Sequence, residues 1–90
     1  MKKKQLGSFP PEQVAAIGRA VGKFMHEHHL KSEDIRRESG FNASRFAPFK
    51  KGGLTYLSTI RFTKLMQALR TLRPAVFDHF WSIEMKEILV

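Results

Sequence analysis

Cysteine is absent from this 90-residue chain. That excludes a disulfide framework and a thiolate metal site, and it suits a reducing cytosol. No run of 18 apolar residues occurs, so no transmembrane helix is expected, although 42% of residues are hydrophobic, a globular proportion. Met1 to Lys4 has the charge of a secretory leader, but Gly7, Ser8, Pro10, Pro11 and Glu12 interrupt any apolar stretch that could follow. A cytoplasmic location is therefore expected. Acid is also missing over a long span. Between Ser39 and Phe77 there is no Asp or Glu, while Arg45, Lys50, Lys51, Arg61, Lys64, Arg70 and Arg73 fall inside it.

The net charge of +8 and pI near 10.3 point to a polyanionic partner, nucleic acid before an anionic membrane surface. A one-signed block inside a foldable pattern reads as a face for phosphates. Ninety residues make one domain with a modest core. Residues 1–10, with Lys2, Lys3 and Lys4, read as a flexible basic arm, and residues 11–90 as the domain.

The chain is organised around Ser32 to Gly53. Glu33 to Ser39 surrounds one apolar position, Ile35, with charge, as a short surface helix does. Gly40 follows where a left-handed C-terminal cap favours a residue without Cβ. Phe41 is expected to turn inward and Asn42 to cap a second helix. On that helix Phe46 and Phe49 share the inner face, leaving Asn42, Ser44, Arg45, Lys50 and Lys51 outward. Two helices joined by a Gly-containing turn, the second showing donors and cations, form a helix-turn-helix pattern.

Helical periodicity supplies the rest. Pro11 suits a first helical position, and Val14, Ile17, Val21, Phe24, Met25 and His28 follow on one stripe. Gly18 and Gly22 border that stripe and would let another helix approach closely. After the loop Leu54 to Leu57, Ser58 caps a helix carrying Phe62, Leu65, Met66 and Leu69 inward. Arg73-Pro74 breaks it. A last helix is expected over about 74–89, with Val76, Phe77, Phe80, Trp81, Glu84, Ile88 and Leu89 at helical spacing, although Trp81 to Lys86 also alternates like a strand.

No nucleophile–histidine–acid spacing, phosphate-binding glycine loop or carboxylate pair is present, so neither an enzyme nor a cofactor is expected. Of the cluster His26, Glu27, His28 and His29, only His26 and His29 would share a helical face, and two imidazoles without a third ligand make a poor zinc site. No metal is expected.

Leu30, Ile35, Gly40, Phe41, Phe46, Phe49, Gly52 and the pattern Ser58, Phe62, Leu65, Met66, Ala68, Leu69 resemble the lambda-repressor and Cro-type (XRE-like) DNA-binding domain family from about Val21 to Leu69. The resemblance implies an all-α, five-helix fold with the helix-turn-helix at helices two and three. It also implies a sequence-specific double-stranded DNA-binding regulator of bacterial or phage type. Asn42 to Lys51 would be the recognition helix in the major groove. Arg45 and Ser44 would meet base edges, Asn42 a base or a phosphate, and Ala43 and Ala47 thymine methyls. Lys31, Ser32, Lys50, Lys51, Thr55 and Arg61 would hold the backbone, with Lys2, Lys3 and Lys4 as a further arm. The sequence departs from the family pattern at Arg36, where a small residue is usual, at Pro48 inside the recognition helix, and at Lys50, where Glu is common. Its loop before Ser58 is also about a residue longer than is usual in the family.

The same resemblance implies a homodimer, with contacts among Phe80, Trp81, Ile88 and Leu89, the alternative being that these complete the monomer's core. The competing function is a protein-interaction module, antitoxin-like or adaptor, that uses the helix-turn-helix as a scaffold. Binding to structured RNA or to a membrane would use the charge without needing the Gly40–Asn42 turn.

Overall fold

Local chemistry sets the helix ends, and the computed structural model, which describes residues 9–89, shows five helices and no strand among them. They are α1 (Pro11–Glu27), α2 (Ser32–Ser39), α3 (Ala43–Lys50), α4 (Thr59–Leu72) and α5, which covers 74–89. Pro11 opens α1 and Pro74 opens α5, where the missing N–H removes no helical bond. Ser58 caps α4 by accepting from the Arg61 N–H at 3.1 Å. At Arg73 the backbone leaves helical geometry, with φ −142° and ψ 65°, as the residue before a proline tends to.

One core runs through all five helices. Val14, Ile17 and Val21 from α1, Ile35 from α2, Phe46 and Phe49 from α3, Leu65 and Leu69 from α4 and Met85 from α5 are buried in it. Leu57 and Leu54 return to it from the loop before α4, whereas Tyr56 stays half exposed. Packing pairs α1 with α3, α2 with α4 and α4 with α5.

The two α1 glycines meet the end of α3. A Cβ on Gly18 would lie 1.9 Å from the Phe49 carbonyl oxygen, and one on Gly22 would lie 2.8 Å from that of Lys50. This is the close approach that the glycine spacing anticipated, and its partner is backbone rather than side chain. Pro48 sits in the last turn of α3 without ending it. The missing N–H forfeits a bond to the Ser44 carbonyl, while the Pro48 carbonyl accepts from Lys51 at 3.1 Å and Gly53 at 2.8 Å.

Four expectations change. Phe9, expected in the flexible arm of residues 1–10, packs its ring edge-on against Phe62 at 5.0 Å. Lys2, Lys3 and Lys4 lie outside the described residues. His26 and His29 do not share a helical face: α1 ends at Glu27, and His29 takes φ 55° so that the Leu30 N–H can bond to the Met25 carbonyl. The third change concerns α5, a helix as expected, but π-helical over Phe80–Met85. The wider turn adds one residue per cycle. Burial therefore steps from Phe77 and Phe80 to Met85, and Trp81 remains 41% exposed.

The last change follows from that step. Phe80, expected at a dimer contact, is buried in this chain's own core, its ring 4.6 Å from that of Phe24. Ile88 and Leu89 are partly buried against the same core, and the Ile88 carbonyl accepts from Gln13 of α1. Of the four residues, Trp81 is the one left exposed.

Candidate nucleic-acid interface

The turn between α2 and α3 is built by four consecutive residues. The Ser39 hydroxyl, fully buried, donates to the Ile35 carbonyl at 2.7 Å and accepts from the Phe41 N–H at 3.3 Å. Gly40 takes φ 74°, a conformation that penalises any Cβ, and its N–H closes α2 on the Arg36 carbonyl. Phe41 then drops into the core, 5.1 Å from Phe46 and 5.0 Å from Phe49 between ring centres. Asn42 caps α3, its Oδ1 accepting from the Ser44 N–H at 2.8 Å and the Ser44 hydroxyl at 2.6 Å. Ser39 was not singled out in the sequence; a serine directly before a C-capping glycine was the available signal.

Burial of Phe46 and Phe49 fixes how α3 presents its other side. Asn42, Ala43, Ser44, Arg45 and Ala47 are all exposed on it. Two of these, Asn42 and Ser44, already share a hydrogen bond, so the Asn42 amide nitrogen is the freer group for an external acceptor. Lys51, Thr55 and Lys31 are exposed nearby in the chain. Lys50 differs from its expected outward position. It is half-buried, its ammonium donates to the Ser32 hydroxyl at the start of α2, and it sits 5.3 Å from the centre of the Phe46 ring. It thus ties α3 to α2, with Ser32 as its partner.

Arg61 also has a structural partner. Its Nη1 donates to the Ser39 carbonyl, one of the acceptors that the end of α2 leaves unpaired. The same arginine lines a recess of about 520 Å³ with Gly40, Phe41, Asn42, Arg45, Tyr56, Leu57 and Ser58. The recess joins the start of α3 to the start of α4, so Asn42, Arg45 and Arg61 are brought together although 19 positions separate the first from the last. Tyr56 is the lining residue that sequence reasoning passed over.

The acid-free span does not form a single face. Arg45 and Arg61 meet at the recess, and Lys50 and Lys51 end α3. Arg70 instead borders a second recess between α4 and α5, with Phe62, Met66, Phe77, Asp78 and Trp81. Arg73 turns inward and donates to the His28 carbonyl at 3.1 Å. Among the described residues one ion pair forms, Arg37 with Asp34 on α2. The same residues bring no three His, Cys, Asp or Glu side chains together as a metal site, and include no helix long and apolar enough to cross a membrane.

Compared with known proteins, the chain matches no family model, no curated protein and no solved structure.

Proposed function

We propose that this chain is a sequence-specific double-stranded DNA-binding transcriptional regulator of bacterial or phage type, acting in the cytoplasm. In this reading α2 and α3 are a lambda-repressor-like helix-turn-helix, and α3 enters the major groove. The observation that carries it is the division of α3. Phe46 and Phe49 anchor the helix while Asn42, Ala43, Ser44, Arg45 and Ala47 stand exposed, beside cations and in a stretch without acid. Small and polar side chains there let a helix approach base edges, and flanking cations meet phosphates. Lys31, Lys51, Thr55 and Arg61 hold the backbone in this assignment; Lys50 adds charge from its bond to Ser32. Selection from random duplex DNA tests the reading. An enriched motif supports it, and preferential retention of structured RNA or anionic vesicles overturns it.

A homodimer belongs to the same proposal, since one short reading helix spans too few base pairs for strong discrimination. Trp81 supports it. The indole is 41% exposed beside Phe62 and Phe77, in a recess of about 350 Å³ rimmed by both Arg70 and Asp78. A two-fold contact can place the Arg70 of one copy against the Asp78 of the other, as a self-complementary patch requires. Trp81→Ala should then raise the dimer dissociation constant by roughly 30-fold, the effect of losing a buried aromatic anchor. Sedimentation measures it, and a wild-type chain that is monomeric both free and on its best DNA site rejects the dimer. The same exposed Trp81 is what favours the second reading, a protein-interaction module of antitoxin or adaptor type.

A further inference from the structure

The recess between α3 and α4 gathers two arginines and no acid. Arg45 and Arg61 line it together with Asn42, Tyr56 and Ser58, and none of its lining residues carries a negative charge. Two arginines lining one recess without an acid make it electropositive and favour an anion there. Proteins ordinarily supply that anion as a carboxylate, yet the only ion pair among the described residues is elsewhere, on α2.

The helix ends add to the imbalance. In α1 and α2 the first turn carries acid, Glu12 in one and Glu33 with Asp34 in the other, which offsets the positive end of the helix dipole. Neither α3 nor α4 has an acid in its first turn, and both begin at the recess. Two positive helix ends, each capped by a neutral side chain, and two arginines therefore face one concavity with no acid among its lining residues. Arg61 is held in place as well, because one of its five N–H donors goes to the Ser39 carbonyl. A donor fixed before the ligand arrives loses less freedom on binding.

We infer that this recess binds a single phosphoryl group, and that its ligand is one backbone phosphate of the DNA. The inference rests on the DNA-binding reading and alters one part of it: Arg45 grips a phosphate beside Arg61 rather than reading a guanine. A phosphodiester oxygen suits the site, since a planar guanidinium donates two parallel hydrogen bonds to it. The Tyr56 and Ser58 hydroxyls provide further donors at the rim. Base reading then falls to the remaining exposed residues of α3, Asn42, Ala43, Ser44 and Ala47.

The test scans the preferred duplex with a neutral methylphosphonate at one backbone position at a time, on the wild-type chain and on Arg45→Ala. Arg45 makes no ion pair, so its removal leaves the fold in place; Arg61→Ala would also release Ser39 and is avoided. At one position the neutral linkage should weaken wild-type binding about tenfold and Arg45→Ala by only about threefold, since Arg61 still faces that phosphate. Arg45→Ala should lower the salt slope by about one unit and keep the base preference. A changed preference at one base position, with no linkage coupled to Arg45, overturns the inference. If the wild type binds no duplex at all, the DNA reading fails, and the recess is judged separately by titrating inorganic phosphate against the Nε–H resonances of Arg45 and Arg61. Shifts in both then support a phosphoryl site, and no shift in either overturns it.

Discussion

A fourfold rise in salt should weaken binding to duplex DNA by roughly 250- to 1,000-fold for each protomer. The estimate comes from the cations that the fold leaves around α3. Lys31, Lys50, Lys51, Arg45 and Arg61 are exposed or half-buried there, whereas Arg73 is committed to the His28 carbonyl, Arg70 borders the α4–α5 recess and Lys64 stands on α4 with Ile60, Thr63 and Gln67. Each phosphate neutralised releases condensed counterions and adds about −0.9 to the slope of log K against log salt, so five contacts give about −4 to −5. A slope counted from the sequence alone would be steeper, because all seven cations of the acid-free span would then contribute. Titrations across a salt series separate the two counts. A flat dependence contradicts nucleic-acid binding altogether.

Gly18→Ala should destabilise the chain by about 3 kcal/mol or more, although alanine is intrinsically better in a helix by about 1 kcal/mol. The added carbon would be 1.9 Å from the Phe49 carbonyl oxygen and 3.0 Å from its carbon. Neither is the end of a flexible side chain, so α1 and α3 must separate. Phe49 is fully buried, and separation disturbs the aromatic group that it forms with Phe41 and Phe46. For a domain of this size the melting temperature should fall by about 12–24 °C. Gly22→Ala, at 2.8 Å from the Lys50 carbonyl oxygen, should do less. Thermal unfolding followed by circular dichroism checks both. A Gly18→Ala chain as stable as the wild type would show that the α1–α3 contact is looser than this geometry requires.

Features set by short-range chemistry were legible in the sequence. The Gly40 cap, the inward Phe41, the Asn42 and Ser58 caps and the break at Arg73-Pro74 each depend on a few neighbouring residues, and each stands in the structure. The all-helical class followed from periodicity in the same way. Features set by distant contacts were not. Gly18 and Gly22 announced a close approach without naming α3, because their partners are more than 25 residues away. Trp81 and Met85 exchanged roles because the π-helical turn shifts the register by one residue, which a 3.6-residue pattern cannot anticipate. Lys50 and Arg61 were read from charge alone. Their hydrogen bonds to Ser32 and to the Ser39 carbonyl depend on how α2 lies against α3 and α4.

The account stands or falls on whether the exposed face of α3 reads sequence. Selecting binding sites from random duplex DNA, in parallel for the wild type and for Ser44→Ala and Ala47→Ser, measures this directly. The account predicts a defined motif for the wild type and a changed preference, confined to one or two base positions, for at least one variant. No enriched motif, or the same motif from all three chains, would contradict it.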